Sequence, residues 1–205
     1  MTGQKVTAIR RLTNGWSVTT VSGEHEARVL VNAAGAWADE VARMAGVNPL
    51  GLVPHRRSMA RIPAPAGTDI ANWPMVFSPD ETWYFKPDAG ALIVSPADKD
   101  PVEPHDAWAD DMVLAEGLAR YEEFVTEPVT RLLASWAGLR TFGPDKVPVI
   151  GFDPADASFL WCAGQGGYGF QTAPAASQHL AELVAGDPPT MGPAITAELT
   201  PARFA

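Results

Sequence analysis

The stretch best equipped for chemistry runs from Phe159 to Leu183, Phe-Leu-Trp-Cys-Ala-Gly-Gln-Gly-Gly-Tyr-Gly-Phe-Gln-Thr-Ala-Pro-Ala-Ala-Ser-Gln-His-Leu-Ala-Glu-Leu. Its opening is apolar and strand-like, its centre holds Gly164, Gly166, Gly167 and Gly169, and its end has amphipathic helical spacing. Strand, glycine loop and helix in that order let the backbone approach a ligand and aim unpaired N–H groups and the positive end of a helix dipole at it. An electron-rich group suits such a place. The single cysteine, Cys162, lies in the apolar strand, where a buried inert thiol is expected rather than a nucleophile. His55, His105 and His179 have no metal-ligand spacing, so no metal is expected.

Gly164, Gly166 and Gly169 also spell the G-x-G-x-x-G of a dinucleotide fold. That fold needs a second parallel strand after the helix and an acidic residue about 20 positions on. Here Gly186-Asp187-Pro188-Pro189 stops the helix, and Thr190 to Ala205 show no strand pattern. The pattern matches and its surroundings do not, which leaves a tight structural turn or a differently oriented ligand loop.

The elements that must position this stretch can be read from the rest of the chain. Val6 to Arg11, Trp16 to Val21 and Ala27 to Ala33 are β-rich runs separated by turns at Asn14-Gly15 and Ser22-Gly23, which predicts a three-stranded meander. The third run enters a small-residue junction and then a helical pattern through Val41 and Met44, ending at Gly46. From Pro49 to about Trp136, prolines and aromatics accompany short strands (57–62, 75–78, 82–86 and 91–95), which predicts a mainly antiparallel sheet. A helix is expected across it over Asp106 to Glu127. Residues 138–142, 147–152 and 159–163 return to strand, Thr172 is placed to cap the last helix, Pro174 falls in its first turn and Gly186 lies past its end. The fold class is α+β. Three segments follow, 1–50, 51–136 and 137–205.

With 205 residues and 46% hydrophobic content, the chain can bury a sizeable core. The net charge of -9 without a Lys/Arg run argues against nucleic acid or an anionic membrane as partner. No run reaches the roughly 18 to 20 apolar residues of a membrane span, and the N-terminus has no signal-peptide core. Cytoplasmic residence is the expectation.

Three motifs taken together resemble the FAD-dependent amino-acid and amine oxidoreductases of the D-amino-acid oxidase superfamily. They are Val31-Asn32-Ala33-Ala34-Gly35-Ala36-Trp37-Ala38, Trp83-Tyr84-Phe85-Lys86-Pro87-Asp88-Ala89-Gly90, and Ala137-Gly138-Leu139-Arg140-Thr141-Phe142 with Gly164 to Thr172. The middle motif and Arg56-Arg57-Ser58-Met59 are most similar to the D-arginine dehydrogenase and glycine oxidase-like branch. Members begin with a βαβ unit that binds the ADP half of FAD, and none precedes Val6. The resemblance therefore implies the C-terminal part of such an enzyme, with an incomplete FAD-binding domain beside a substrate domain.

The resemblance implies FAD as cofactor, met at adenine by the backbone of Val6. Ala33, Ala34, Gly35 and Trp37 would lie along the adenosine and diphosphate. Gly166, Gly167, Tyr168, Gly169, Phe170, Gln171 and Thr172 would approach the flavin ring, Gln171 also counting with the catalytic set. Arg140 would hold a substrate carboxylate, a task that suits guanidinium geometry, with Tyr84 and Arg57 assisting. Read as residues alone, Arg140 fits a surface salt bridge, Tyr84 a core position and Arg57 a solvated strand. The implied reaction is oxidation of a D-amino acid or related amine at a CH–NH or CH–NH2 bond. The implied partners are a small amine or amino acid, and the missing N-terminal half or a second copy. The alternative is a non-catalytic module that folds without cofactor and acts as an interaction partner.

Overall fold

The computed structural model describes residues 2–204. The chain divides into two compact units, unit 1 of residues 1–53 and 140–205 and unit 2 of residues 54–139. The crossings, at 53/54 and 139/140, fall inside two long strands.

Unit 1 contains two small sheets. The strands β1 (Val6–Leu12), β2 (Gly15–Thr20) and β3 (Gly23–Ala27) form an antiparallel meander. Strand β4 (Leu30–Asn32) belongs to a different sheet, in the order β10 (Val149–Phe152), β11 (Phe159–Ala163), β4. This corrects the single third strand expected over Ala27 to Ala33, because the meander ends at Ala27 and the chain re-enters a sheet three residues later. What divides the run is its partners: Trp16 to Thr20 pair with β3, whereas Leu30 to Asn32 pair with Phe159 to Trp161. Trp16, Phe159 and Trp161 are buried and stacked edge to face at 5.9 and 5.2 Å, so their rings join the meander to the second sheet. Ala38 and Ala42 of α1 (Ala38–Met44), together with Leu52 and Val149, close this core.

The last helix, α3 (Gly169–Ala185), ends at Gly186, whose φ of +76° and N–H bonds to the carbonyls of Glu182 and Leu183 form the expected glycine stop. Its start differs from expectation. Tyr168 precedes the first helical residue and makes no side-chain cap, and Thr172 lies within the first turn, donating its hydroxyl to the Tyr168 carbonyl at 2.9 Å. A further short helix, α4 (Pro193–Leu199), forms in the tail, with Pro193 at its first position.

Unit 2 is built on the sheet order β6 (Val76–Phe77), β7 (Tyr84–Asp88), β8 (Ala91–Ser95), β5 (Val53–Pro63), β9 (Ala134–Phe142). Helix α2 (Asp111–Glu122) is shorter than the run of apolar residues suggested, since the Asp110 carboxylate accepts from the N–H groups of Met112 and Val113 and fixes the start there. Leu114 and Tyr121 of α2 pack on Ala60, Ile62, Phe85, Leu92 and Val94, one face of the sheet. Gly117 is needed for this approach: a Cβ there would fall 2.3 Å from Cβ of Pro96.

Candidate active site

Strands β4 and β11 run parallel with Leu30, Val31 and Asn32 opposite Phe159, Leu160 and Trp161. Both therefore end at the same edge of the sheet, and both lead there into small-residue junctions, Ala33-Ala34-Gly35 and Gly164-Gln165-Gly166-Gly167. The carboxyl end of parallel strands is where such sheets receive ligands. The two segments that sequence assigned to the cofactor thus open on one edge. Val6 belongs to the separate meander sheet, opposite Thr20.

The β4 junction is set by Asn32, 1% exposed, whose amide donates to the Ala38 carbonyl at 2.8 Å and accepts from the Ala34 N–H at 3.3 Å. Gly35 follows with φ +57° and open space where a Cβ would stand. Ala33, Gly35 and Trp37 are exposed and Ala34 is half-buried. Behind the junction, the buried carboxylate of Asp39 accepts from the N–H groups of Leu50, Gly51 and Leu52 at 2.9–3.1 Å, tying α1 to the segment that leads into β5.

The β11 junction rests on the end of β9. Gly166 donates its N–H to the Thr141 carbonyl at 2.8 Å, and a Cβ on Gly166 would lie 2.4 Å from the Phe142 ring. A Cβ on Gly167 would lie 3.1 Å from Nη1 of Arg140. Arg140 and Phe142, two apart on a strand, share a face, and the loop lies on that face with glycine at each contact. Arg140 and the glycine loop are therefore brought together. Tyr168, Gln171 and Phe170 project outward, Phe170 fully exposed, while Gly169 and Thr172 are placed in the first turn of α3. Cys162 is half-buried where a buried thiol was expected, and the burial it has pushes its pKa up.

In unit 2, Arg57, Met59 and Arg61 of β5 alternate with the buried Ser58, Ala60 and Ile62, and so share the sheet face opposite α2. The Arg57 guanidinium stands 5.7 Å from the centre of the Tyr84 ring. The Tyr84 hydroxyl donates to Sδ of Met59 at 3.6 Å, and Phe77 lies 5.5 Å from Tyr84, ring centre to ring centre. Arg61 is paired with Asp88 at 3.0 Å and Arg56 with Asp98 at 3.3 Å. Arg57 has no carboxylate partner among the described residues, and its Nε is buried without a hydrogen bond. The guanidinium is half-buried with its fork of donors not committed to a carboxylate, which suits it to an anionic ligand.

Sequence reasoning named Arg57 and Tyr84 but missed Met59, Asn32, Asp39 and Asp98. Asn32 and Met59 stood inside quoted motifs, where a polar residue at a strand end and a thioether two residues from Arg57 were the available signals. Asp39 and Asp98 gave none, because their partners lie 11–13 and about 40 residues away.

Unit 1 carries a parallel-strand edge with two glycine junctions, the kind of edge at which such sheets receive ligands, and unit 2 an antiparallel sheet presenting an arginine with no carboxylate partner among the described residues. Residues 1–183 match the DAO family, described as FAD dependent oxidoreductase, and the chain belongs to that family. Relatives include the FAD-dependent oxidoreductase domain-containing protein 1 of Bos taurus, 27% identical over 78% of this chain and 36% of its own length. Human mitochondrial dimethylglycine dehydrogenase is 25% identical over 90% of this chain and 23% of its own length. Among solved structures, glycine oxidase from Geobacillus kaustophilus superposes with a TM-score of 0.81 at 24% identity, covering 96% of this chain and 52% of that one. L-Proline dehydrogenase from P. horikoshii gives 0.76 at 24% identity, covering 98% of this chain and 54% of that one. These likenesses establish a mixed α/β fold with mostly antiparallel sheets. The chain spans about a third of the first curated relative and half of the glycine oxidase chain. No helix among the described residues is long and apolar enough to cross a membrane.

Proposed function

We propose that this chain contributes the flavin-ring and substrate sides of an FAD-dependent oxidoreductase that oxidises a D-amino acid or a related primary or secondary amine. The observation that carries the reading is the glycine loop laid directly on Arg140 at the carboxyl edge of the parallel strands. The residues present fit the cofactor. Gly35 leaves open space in a left-handed turn, and the start of α3 has no side-chain cap, so its first amides are available to a ligand acceptor.

FAD, when bound, supplies a two-electron acceptor for an amine C–H bond, leaving an imine that water hydrolyses. The protein's share is placement. Ala33, Ala34, Gly35 and Trp37 would line the adenosine and diphosphate side, with Val6 at adenine through its backbone. The loop from Gly166 to Thr172 would approach the pyrimidine edge of the flavin with the N–H groups of Gly167, Gly169, Phe170 and Gln171, where fixed amide dipoles favour negative charge, since those of Gly166, Tyr168 and Thr172 are donated to the Thr141, Gln165 and Tyr168 carbonyls. Arg140 is the group for a substrate carboxylate, a bidentate partner for its fork of donors. Arg57 and Tyr84 are the proposed substrate-holding groups of unit 2, and Gln171 stands at the loop as a further polar contact.

The test is the visible spectrum of the purified protein after incubation with FAD and desalting. Retained flavin absorbance that bleaches anaerobically with one of glycine, N-methylglycine, L-proline or D-alanine supports the reading. A folded colourless protein supports the alternative of a module without cofactor.

A further inference from the structure

Strand β5 is fully laddered to β8 only from Ala60 opposite Val94 to Pro63 opposite Ala91. Continuing that register sets Ser58 opposite Pro96, which has no N–H to give. The ladder breaks here, beside Arg57, and side chains replace it. The Ser58 carbonyl accepts from the Ser95 hydroxyl at 2.8 Å, and the Ser58 N–H donates to Oδ1 of Asp98 at 2.6 Å. Oδ2 of Asp98 accepts from the Ser58 hydroxyl at 2.8 Å and from Nε of Arg56 at 3.3 Å. Main-chain pairing resumes at the Arg56 N–H to the Asp100 carbonyl, 3.0 Å, and the Val102 N–H to the Pro54 carbonyl, 2.9 Å.

One buried carboxylate thus grips the residues on both sides of Arg57. The Asp98 side chain is 3% exposed, and its loop is itself held. Ala97 has φ +55°, Gly117 of α2 presses on Pro96, and Nη2 of Arg120 donates to the Pro96 carbonyl at 3.4 Å. With Arg56 and Ser58 drawn to the Asp98 side, alternation sends Arg57 to the opposite face, where it stands over Tyr84 without a carboxylate partner among the described residues.

We infer that Asp98 is a positioning residue that presets Arg57 for an anionic group of the substrate. The inference rests on the substrate-holding role proposed for Arg57. Asp98 touches no substrate itself. It fixes the stretch of β5 that the broken ladder leaves unsupported, so that the guanidinium need not be ordered when the ligand arrives.

The experiment is steady-state kinetics of the FAD-loaded protein with whichever amine of the panel bleaches the flavin fastest, for Asp98→Asn, Asp98→Glu, Ser58→Ala and Arg57→Gln, with a thermal melt of each. Expected are a rise in KM of about tenfold for Arg57→Gln and about fivefold for Asp98→Asn, with kcat within about twofold of the parent. Ser58→Ala, which keeps the N–H bond to Asp98, should give a smaller rise in KM, and Asp98→Glu should recover part of the loss. A parental KM for Asp98→Asn beside a raised KM for Arg57→Gln overturns the inference and leaves the functional reading standing. A parental KM for Arg57→Gln removes the role on which the inference depends. Loss of kcat in proportion to melting temperature, with KM unmoved, reduces Asp98 to a structural residue and also overturns it. Should Asp98→Asn not fold, an unchanged KM in Ser58→Ala overturns the inference in its place.

Discussion

The two candidate ligand surfaces are made of different material. In unit 1 the ligand edge is backbone: glycines at 35, 164, 166 and 167 and the uncapped start of α3, with Arg140 and Phe142 lying beneath the loop. In unit 2 it is side chains on strands of one sheet: Arg57 and Met59 of β5 and Tyr84 of β7, aimed by strand alternation and a ladder that fails at one place. A backbone surface is specified by what residues lack, a Cβ or a cap. A side-chain surface is specified by what they carry and by register. The first kind should therefore break through conformation and take stability with it, and the second through binding with the fold left intact.

The sharpest break is Gly166→Val. The position combines a φ of +54° with a Cβ site 2.4 Å from the Phe142 ring. A left-handed residue costs about 1–2 kcal/mol and overpacking about 1–3 kcal/mol more. A loss of about 2–5 kcal/mol in chemical denaturation is expected from these two costs, together with loss of retained flavin. A stable variant that still holds flavin would show that the loop can leave Phe142, and that its close seating is not what shapes the edge.

Next comes Asn32→Ala, which takes from the buried Ala38 carbonyl the second donor it has beside its helical bond and leaves the Ala34 N–H at the other junction without its acceptor. The expected cost is about 1–3 kcal/mol, measured by the same unfolding curve, with weaker FAD retention because the turn at Ala33 to Gly35 is no longer held. Tyr84→Phe tests the contrast from unit 2. The ring stays, so the contact with Arg57 stays, and the unfolding free energy should move by less than about 1 kcal/mol. KM should nevertheless rise a few-fold if the hydroxyl takes part in holding substrate. An unchanged KM would leave Tyr84 as a platform for Arg57 alone.

The same difference in material explains what the sequence disclosed. Gly164 to Gly169 were legible as a loop between a strand and a helix, and β11 and α3 bracket it as expected. The run from Ala27 to Ala33 read as one strand because residues 28–29 carry no turn chemistry, and only pairing with two different sheets divides it. Helix α4 escaped notice because seven residues give no usable period, and Gly192-Pro193 reads as a break before it reads as a start. Asp98 could not have been found at all. Its importance depends on Pro96 falling opposite Ser58, which is a fact of register between segments about 40 residues apart.

The smallest expected effect concerns the support under Arg140. The turn after β9 is fastened to the C-terminal residues by Asp145, whose carboxylate accepts from Nε and Nη2 of Arg203 at 2.7 and 3.2 Å and from the Val147 N–H at 3.0 Å. The hydrogen bond from Arg203 is the main reason its pKa is lowered, against a partial burial that works the other way. A carboxyl group whose pKa is depressed by folding contributes stability that is present above its unfolded value of about 3.9 and is lost as pH falls through the lower folded value. The side chain is 37% exposed, so solvent screening limits the contribution to less than about 1 kcal/mol. Asp145→Asn keeps an oxygen for the Val147 N–H and removes only the charge. The variant should melt below the parent by at most about 2–4 °C at pH 7, and the gap should close as pH falls below the ordinary carboxylate range and the parent's own carboxylate is protonated. A gap that persists in acid would mean that the amide disturbs the turn for reasons other than charge. The backbone edge would then be sensitive to the shape of its support, as the close seating of Gly166 and Gly167 on β9 already implies.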